Sequence, residues 1–264
     1  MSANPLPVFD VLSANEVGGP SQSTCPSEKL ALIIPTLREA ANLRLLMDRV
    51  RPTLDSLGIR YELIVVDDDS RDGTDEIMTD LARQDSRVRL LTRTGIRGLS
   101  GAAMHGWRNT DASVLGVMDS DLQHPPELLP QLWQALQGGA DVVVASRYVQ
   151  QASRRGFNLF RHFISQLAIW MTWPLQRPGI LVHDPMSGFF LVRRSCIKDI
   201  TVQPQGFKIL LEILVRGDIH SAVEIPFTFD RRHAGLSKAS VAVAAAYMKL
   251  LARLWRLRLS GNSR

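Results

Sequence analysis

The sequence predicts an α/β protein with a mostly parallel central sheet and helices on both of its faces. Short apolar runs of strand length alternate with segments of helical periodicity from residue 30 to residue 148. Two of these runs end abruptly in clustered acids, at the position where the carboxyl edge of a parallel sheet binds ligands. The 264 residues are enough for one domain of this class with a full hydrophobic core.

The alternating region divides into strands and helices in a simple order. Five apolar runs are predicted strands, at residues 30–34, 61–66, 88–92, 114–118 and 141–145. The first strand is expected to close at Pro35-Thr36. Helices are predicted where apolar residues recur three and four apart, over the segment that ends at Pro52, over 75–84 and over 126–137.

The character of the chain changes beyond residue 148. Helical spacing recurs over 157–173, 206–215 and 240–259, and strands are predicted at 189–192 and 223–229. Glu212 stands among apolar residues, so it must pair, be neutral or face a site, because an isolated buried charge is costly. Residues 239–264 are expected to form a basic amphipathic helix. Contact with an anionic membrane surface and docking on the domain are both consistent with that pattern.

Composition narrows the classes of partner. The net charge of +5 favours anionic partners such as nucleotide diphosphates or lipid phosphates. Nucleic acid is not expected, because no module interleaves basic residues with exposed aromatic residues. Residues 1–27 are predicted to be a disordered leader without the pattern of a signal peptide, and no apolar run reaches the roughly 20 residues of a membrane span. With only Cys25 and Cys196, a reducing compartment is the default.

The densest chemical signal follows the predicted strand at 114–118. Asp119 and Asp121 come one residue apart, and Gln123 can add a neutral carbonyl oxygen. Hard oxygen ligands of this kind bind Mg2+ or Mn2+ together with the phosphates of a substrate, so the segment predicts a metal–diphosphate site. A strand followed by a solvated acidic turn is the alternative, because Asp-x-Asp tripeptides are common.

Several motifs, taken together and in order, carry a resemblance to a known family. They are Ile34-Pro35-Thr36 with Glu39, Val65-Val66-Asp67-Asp68-Asp69-Ser70, Met118-Asp119-Ser120-Asp121-Leu122-Gln123-His124-Pro125-Pro126-Glu127, Ser146-Arg147-Tyr148, Asp184-Pro185-Met186-Ser187-Gly188-Phe189, Gly206-Phe207-Lys208-Ile209 and Gly235-Leu236-Ser237-Lys238. With them the chain resembles the family 2 glycosyltransferases of the Rossmann-like GT-A fold. Within that family it is similar to the polyprenyl-phosphate (dolichol-phosphate) mannosyltransferases. The resemblance implies one GT-A glycosyltransferase domain over residues 28–238.

The resemblance also implies roles for individual residues. Pro35, Thr36 and Glu39 would line the nucleotide pocket, and Asp67 would hold the base or ribose. The metal ligands would be Asp119, Asp121 and Gln123. The lipid phosphate would be received by Arg147, Arg161 and Ser165, while Arg232 and Lys238 would belong to a loop that closes over both phosphates. In that loop Leu236 stands where the family has an acid, which leaves loop closure or donor choice open.

The resemblance and these residues together imply an inverting, metal-dependent transfer of a hexose onto a polyprenyl monophosphate, with mannose from GDP-mannose favoured by the resemblance. The phosphate acceptor has a second pKa near 6, so it needs positioning by arginine and not a general base. Two alternatives stay open: the same reaction with UDP-glucose, and a non-catalytic protein that binds a membrane surface. The expected location is cytoplasmic and peripheral on the cytoplasmic face of a membrane, and a membrane-protein partner is left open.

Overall fold

The structure, a computed structural model, describes residues 28–95, 97–147, 170–198, 200, 208–227 and 241–260. Within these residues the strands are β1 (Lys29–Thr36), β2 (Arg60–Asp67), β3 (Val88–Thr92), β4 (Val114–Val117), β5 (Val142–Ser146), β6 (Phe190–Arg193) and β7 (Ala222–Pro226). The α-helices are α1 (Ala40–Asp55), α2 (Thr74–Gln84), α3 (Leu99–Arg108), α4 (Leu129–Gln137), α5 (Ile209–Arg216) and α6 (Val241–Leu259). Short 3-10 helices lie at Pro126–Leu128, Trp173–Leu175 and Arg194–Ile197.

The described strands form one sheet in the order β3-β2-β1-β4-β6-β5-β7. Only β6 runs antiparallel to its neighbours, because it pairs antiparallel with both β4 and β5, whereas the other pairings are parallel. The carboxyl ends of the six parallel strands therefore share one edge of the sheet, and the amino end of β6 lies at that same edge. The predicted class, an α/β fold with a mostly parallel sheet flanked by helices, is confirmed.

Two hydrophobic layers cover the sheet, as the near-continuous apolar composition of the strands requires. Along β1, Leu30, Leu32 and Ile34 face a cluster that includes apolar residues of α1, α2 and α4. The intervening Ala31 and Ile33 face a second cluster that includes residues of α3 and α5. Because side chains alternate along a strand, each strand contributes apolar residues to both layers. Each fully buried Leu or Ile stabilises the fold by about 1.5–3 kcal/mol.

The first strand extends further than the sequence predicts. It continues through Pro35 to Thr36, which lies opposite Asp67 of β2. A proline is tolerated there because the pairing of β1 with β4 already ends at Ile33 and Val117, so the missing N–H interrupts no hydrogen bond of that ladder. The predicted strand ends at residue 34, so it is two residues too short at this end. The extension places Thr36 beside Asp67, the acid at the end of β2.

The C-terminal helix α6 spans Val241–Leu259, close to the predicted helix at 240–259. Its Leu251 and Leu254 are buried against Leu211 and Val215 of α5. The sequence left two interpretations open for this helix, contact with a membrane and docking on the domain. The face that carries Leu251 and Leu254 docks on the domain. None of the helices in the described part of the chain has the length and apolar character needed to cross a bilayer.

Candidate active site

Most of the predicted site residues that the structure describes lie directly after the carboxyl ends of parallel strands. Thr36 ends β1, Asp67 ends β2, Asp119 and Asp121 follow β4, and Arg147 follows β5. Because these strand ends share one edge of the sheet, the fold gathers residues that are up to 111 positions apart in the chain onto one side of the molecule. Open α/β sheets bind their ligands at this edge.

At the ends of β1 and β2 a buried hydrogen-bond network surrounds Asp67. Its Oδ1 accepts a hydrogen bond of 2.9 Å from the Thr36 hydroxyl, and its Oδ2 accepts one of 2.8 Å from the backbone N–H of Ser70. The Ser70 hydroxyl donates a further hydrogen bond to Oδ1. The network therefore fixes the Asp67 carboxylate at the position predicted for the base or ribose.

The predicted residue Glu39 lies just before α1. Its carboxylate Oε2 accepts a hydrogen bond of 2.7 Å from the side-chain amide of Asn42, one helical turn later. Pro35 is close to the acidic loop after β4, because its carbonyl accepts a hydrogen bond of 3.2 Å from the Ser120 hydroxyl. The loops after β1 and β4 are thereby joined.

A cavity of about 640 Å3 opens beyond the ends of β1 and β2 and is lined by Arg38, Asp69, Ser70, Arg71, Asp72 and Arg97. Ser70 connects it to the Asp67 network, since its hydroxyl also accepts a hydrogen bond of 2.8 Å from the N–H of Arg38. Arg38, Asp69 and Arg71 have φ values of +60°, +56° and +54°. Non-glycine residues in this left-handed region cluster at ligand sites, where the surrounding structure holds them. Of the lining residues, Asp69, Ser70 and Asp72 belong to motifs of the family resemblance, whereas no role was predicted for Arg38, Arg71 and Arg97.

The carboxylates predicted to bind a metal stand in the loop after β4. Asp119 keeps 31% of its side chain exposed, and Asp121 accepts a hydrogen bond of 3.2 Å from the N–H of Gln123. Between Asp121 and Gln123, Leu122 is buried with a φ of +62°, so the loop turns sharply while its apolar side chain stays in the core. This turn holds Asp121 and Gln123 in the loop above the sheet.

The surroundings of Asp119 are close-packed. A Cβ built on Gly188 would lie 2.2 Å from Asp119 Oδ2 and 2.5 Å from its Cγ, so the carboxylate lies directly against the glycine backbone. His124 Nδ1 is 3.8 Å from Asp119 Oδ2, and its ring packs between Phe189 and Phe227. Burial lowers the pKa of His124 to about 4, so the imidazole is neutral at neutral pH. His124 therefore acts here as a neutral packing residue beside Asp119.

One basic side chain that was given no role from the sequence, Lys208, interacts electrostatically with Asp119. Lys208 immediately precedes α5, is partly buried, and donates a hydrogen bond of 3.4 Å to the carbonyl of Met186. Burial lowers its pKa below the ordinary value, and the nearby Asp119 opposes that shift. The signal available in the sequence was the motif Gly206-Phe207-Lys208-Ile209, from which no role was assigned.

The donor set after β4 fits a divalent cation such as Mg2+ or Mn2+. Carboxylate oxygens are the ligands that these hard ions prefer, and such ions are bound through one or two carboxylates together with the phosphates of a substrate. Asp119 supplies one partly exposed carboxylate, and Gly188 leaves room for it because a side chain there would occupy its place. Within the described residues, no group of three or more His, Cys, Asp or Glu side chains converges as a metal site.

After β5, the guanidinium of Arg147 is clamped by the carboxylate of Asp184. Arg147 Nε and Nη2 donate hydrogen bonds of 2.7 and 2.8 Å to Asp184 Oδ2 and Oδ1, and its backbone N–H donates one of 3.3 Å to Oδ2. Asp184 is completely buried. Its own N–H and that of His183 donate hydrogen bonds of 3.1 and 2.9 Å to Glu224 of β7. Sequence reasoning placed Asp184 in a motif but missed its role as the partner of Arg147.

Four predicted site residues lie outside the described residues: Arg161, Ser165, Arg232 and Lys238. The expected roles of Arg161 and Ser165 at the lipid phosphate, and of Arg232 and Lys238 in the closing loop, therefore stay predictions. The same holds for the leader over 1–27 and for the domain boundary at residue 238.

Comparison with known proteins decides the family. The model of the family described as Glycosyl transferase family 2 matches residues 31–201. The chain is 39% identical over 229 residues to the dolichol-phosphate mannosyltransferase of Pyrococcus furiosus, which covers 86% of this chain and 64% of that protein. The chain belongs to glycosyl transferase family 2. The predicted enzyme class, a glycosyltransferase, is thereby confirmed.

Other relatives in glycosyl transferase family 2 match over more of their own length. The dolichol-phosphate mannosyltransferase of Mycosarcoma maydis is 37% identical, over 91% of this chain and 84% of that protein. The enzyme of the same name from Saccharomyces cerevisiae is 34% identical, over 90% of this chain and 91% of that protein. This chain spans slightly less than two thirds of the length of the Pyrococcus furiosus relative, since the match covers 64% of that protein.

Solved structures support the fold of this family 2 member. Glucosyl-3-phosphoglycerate synthase from Mycobacterium tuberculosis, solved in complex with Mn2+, UDP-glucose and phosphoglyceric acid, aligns with a TM-score of 0.65. The alignment covers 86% of this chain and 80% of that chain at 20% sequence identity. At this identity the likeness concerns the fold alone, and it agrees with the predicted GT-A architecture.

Proposed function

We propose that this family 2 glycosyltransferase carries out an inverting, metal-dependent transfer of mannose from GDP-mannose to a polyprenyl monophosphate. One observation carries the proposal. The carboxylates of Asp119 and Asp121 and the guanidinium of Arg147 lie at the same edge of the sheet, with the segment 184–188 between them. Relatives named dolichol-phosphate mannosyltransferase and polyprenol monophosphomannose synthase, 34–39% identical to this chain, support the donor and acceptor classes.

The nucleotide of the donor would lie across the ends of β1 and β2. The polar edge there combines the Asp67 network with the adjacent cavity of about 640 Å3. Pro35, Thr36 and Glu39 would line the nucleotide site, and Asp67 would accept hydrogen bonds from the base or ribose. From this position the diphosphate would reach the loop after β4.

Asp119, Asp121 and Gln123 would hold the cation, Mg2+ or Mn2+. When bound, such a cation stabilises the charge that builds on the departing nucleoside diphosphate. Lys208, which interacts electrostatically with Asp119, would add positive charge at this point. Arg232 and Lys238 would extend that stabilisation from the closing loop. Positioned charges in a site from which water is excluded are among the largest contributions to catalysis.

The acceptor phosphate would be received by Arg147, and by Arg161 with Ser165. Its second pKa is near 6, so at neutral pH it is largely a dianion and no side chain has to remove a proton. One phosphate oxygen attacks the anomeric carbon as the bond from that carbon to the nucleoside diphosphate breaks, which inverts the configuration. A guanidinium held by Asp184 keeps its geometry, and orientation of this kind replaces general-base catalysis.

The lipid acceptor implies work at a membrane surface, and we include that location in the proposal: peripheral attachment at the cytoplasmic face. Exposed Met248 and Lys249 on α6 support a surface contact beside the docked leucines. A membrane-protein partner would also hold the enzyme at the membrane surface.

Transfer of label into a lipid product tests the proposal. The purified chain is incubated with polyprenyl phosphate, Mg2+ or Mn2+ and a panel of labelled donors that includes GDP-mannose and UDP-glucose, and the lipid is extracted into organic solvent. We expect label from GDP-mannose in the lipid phase as the β-anomer, and none without the divalent cation. Label from UDP-glucose alone would overturn the donor, and no labelled lipid with any sugar nucleotide would overturn the reaction.

A further inference from the structure

We propose that the segment 184–188 is a positioning element that sets the metal-binding carboxylate of Asp119 and the acceptor-binding guanidinium of Arg147 relative to each other. In this inference, which rests on the proposed function, Gly188 positions Asp119 and Asp184 positions Arg147. Neither Asp184 nor Gly188 needs to touch a substrate in this role.

The sheet order places the segment between the two groups. Strand β6 is inserted antiparallel between β4 and β5 and begins at Phe190. Its amino end therefore lies between the carboxyl end of β4, which leads to Asp119, and that of β5, which leads to Arg147. A purely parallel sheet would have no chain entering at this point, because parallel strands all leave the sheet at this edge.

At one end of the segment, Gly188 supports Asp119 by having no side chain. A Cβ at residue 188 would lie 2.2 Å from Asp119 Oδ2, 2.5 Å from Cγ and 2.6 Å from Oδ1. Atoms do not approach this closely, so any other residue at position 188 must move the carboxylate or the backbone. The glycine thus lets the carboxylate rest on the backbone of the segment.

At the other end, Asp184 holds Arg147 by a two-point contact. The hydrogen bonds of 2.7 and 2.8 Å fix both the position and the plane of the guanidinium, because the fork geometry of arginine matches a carboxylate. The contact is costly to rearrange, since Asp184 is fully buried and a buried carboxylate without its partner is strongly unfavourable.

The segment itself is fastened to the sheet on several sides. The Ser187 hydroxyl donates a hydrogen bond of 2.7 Å to the carbonyl of Ala145 in β5 and accepts one of 3.1 Å from the N–H of Phe189. The N–H of Asp184 is held by Glu224 of β7 at 3.1 Å, and the carbonyl of Met186 by Lys208 at 3.4 Å. These contacts hold the segment in place against β5, β7 and Lys208.

The first arm of the test measures metal binding without any transfer reaction. Gly188→Ala is compared with wild type by Mn2+ titration in the presence of GDP, with the bound ion detected by electron paramagnetic resonance. We expect Mn2+ affinity to fall tenfold or more. Gly106→Ala is the matched control, because its Cβ would meet the side chain of Ile33 at 2.8 Å in the core, away from Asp119.

The second arm measures the acceptor. Asp184→Asn keeps the shape of the side chain but breaks the two-point contact, so we expect the KM for polyprenyl phosphate to rise tenfold or more while Mn2+ affinity stays within twofold of wild type. Asp218→Asn is the matched control, because Asp218 pairs with Arg177 at 3.0 Å on the surface. Should Asp184→Asn fail to fold, Glu224→Gln weakens the anchor of the Asp184 backbone and should raise the same KM to a smaller extent.

The pattern of the two arms decides the inference. A general loss of structure would lower metal affinity and raise the acceptor KM together in both variants, and that result would overturn it. It is also overturned if Gly188→Ala binds Mn2+ as wild type does, or if wild type binds no Mn2+ with GDP. Absence of lipid product from a wild-type protein that binds Mn2+ and GDP would instead refute the proposed reaction, while the metal arm still tests Gly188.

Discussion

Arg253 in α6 reaches back to Glu212 in α5, with Nη1 3.9 Å from the carboxylate Oε1. Glu212 is only 1% exposed, and Arg216 on its own helix lies 3.8 Å from its other oxygen. The sequence allowed Glu212 to pair, to be neutral or to face a site. In the structure its carboxylate pairs with the two arginines. The ion pair joins the C-terminal helix to the body of the domain beside the buried Leu251 and Leu254.

Removing Arg253 should loosen this joint. Arg253→Ala is expected to lower the free energy of unfolding by about 1–2 kcal/mol, less than the roughly 3–5 kcal/mol of a fully buried pair, because Arg253 is one third exposed and Arg216 remains. Urea denaturation measures the loss, and hydrogen exchange over α6 should become faster. Lys249→Ala on the exposed side of the same helix should change stability by less than about 0.5 kcal/mol. Equal effects of the two variants would contradict the role of the pair.

Loss of one metal carboxylate should greatly slow transfer while leaving the fold intact. Asp121→Asn keeps an oxygen that can accept the N–H of Gln123, so thermal stability should change little, but it removes a charge. We expect the transfer rate to fall about 100-fold or more, which corresponds to roughly 3 kcal/mol of transition-state stabilisation. EDTA should give a comparable loss in wild type, reversed by excess Mn2+. A near-normal rate in the variant would remove Asp121 from the metal site.

The Asp67 network should govern donor binding. Asp67→Asn is expected to raise the KM for the sugar nucleotide tenfold or more and to leave the acceptor KM unchanged. Thr36→Val, which removes one of the hydrogen bonds that hold Asp67, should have a smaller effect on the same KM and should cost about 1–2 kcal/mol of stability. Thr92→Val is the control, because Thr92 ends the neighbouring strand β3 and is exposed. If both KM values rise equally in Asp67→Asn, the residue supports the fold and not the donor.

Asp72 should stabilise the cavity wall in a pH-dependent manner. Its carboxylate accepts hydrogen bonds from the N–H of Ala40 at the start of α1, at 3.1 Å, and from the Thr74 hydroxyl, at 2.7 Å. Burial raises its pKa, but these hydrogen bonds lower it by more, so the net pKa lies below the ordinary value. Stability from this group is therefore present above the unfolded pKa of about 3.9 and is lost as the pH falls through the lower folded pKa.

Asp72→Ala is accordingly expected to cost about 1 kcal/mol at pH 7, in the range of a lost helix cap. The difference from wild type should shrink as the pH falls below about 4. Denaturation curves from pH 7 to pH 3 measure it, with Glu76→Ala in the exposed first turn of α2 as the control. A difference that does not change with pH would show that the carboxylate's charge is unimportant here.

Local patterns in the sequence determined the class of fold, most element positions and the family. The two-residue and 3.6-residue periods are properties of the backbone itself, so the strands at 88–92 and 114–118 could be located without knowing their neighbours. The acids after β2 and β4 could be assigned to one edge because parallel strands share their direction. The order of the motifs indicated the family, which the comparisons then confirmed.

Only the tertiary structure decided which residues support the site. The partner of Arg147 is Asp184, 37 residues away, and the residue that makes room for Asp119 is Gly188. Both contacts depend on the insertion of β6 between β4 and β5, and strand order is a property of long-range packing that no local period encodes. The pairing of Glu212 with Arg253 likewise had to await the docking of α6, because a buried charge is compatible with several partners until the chain brings one of them close.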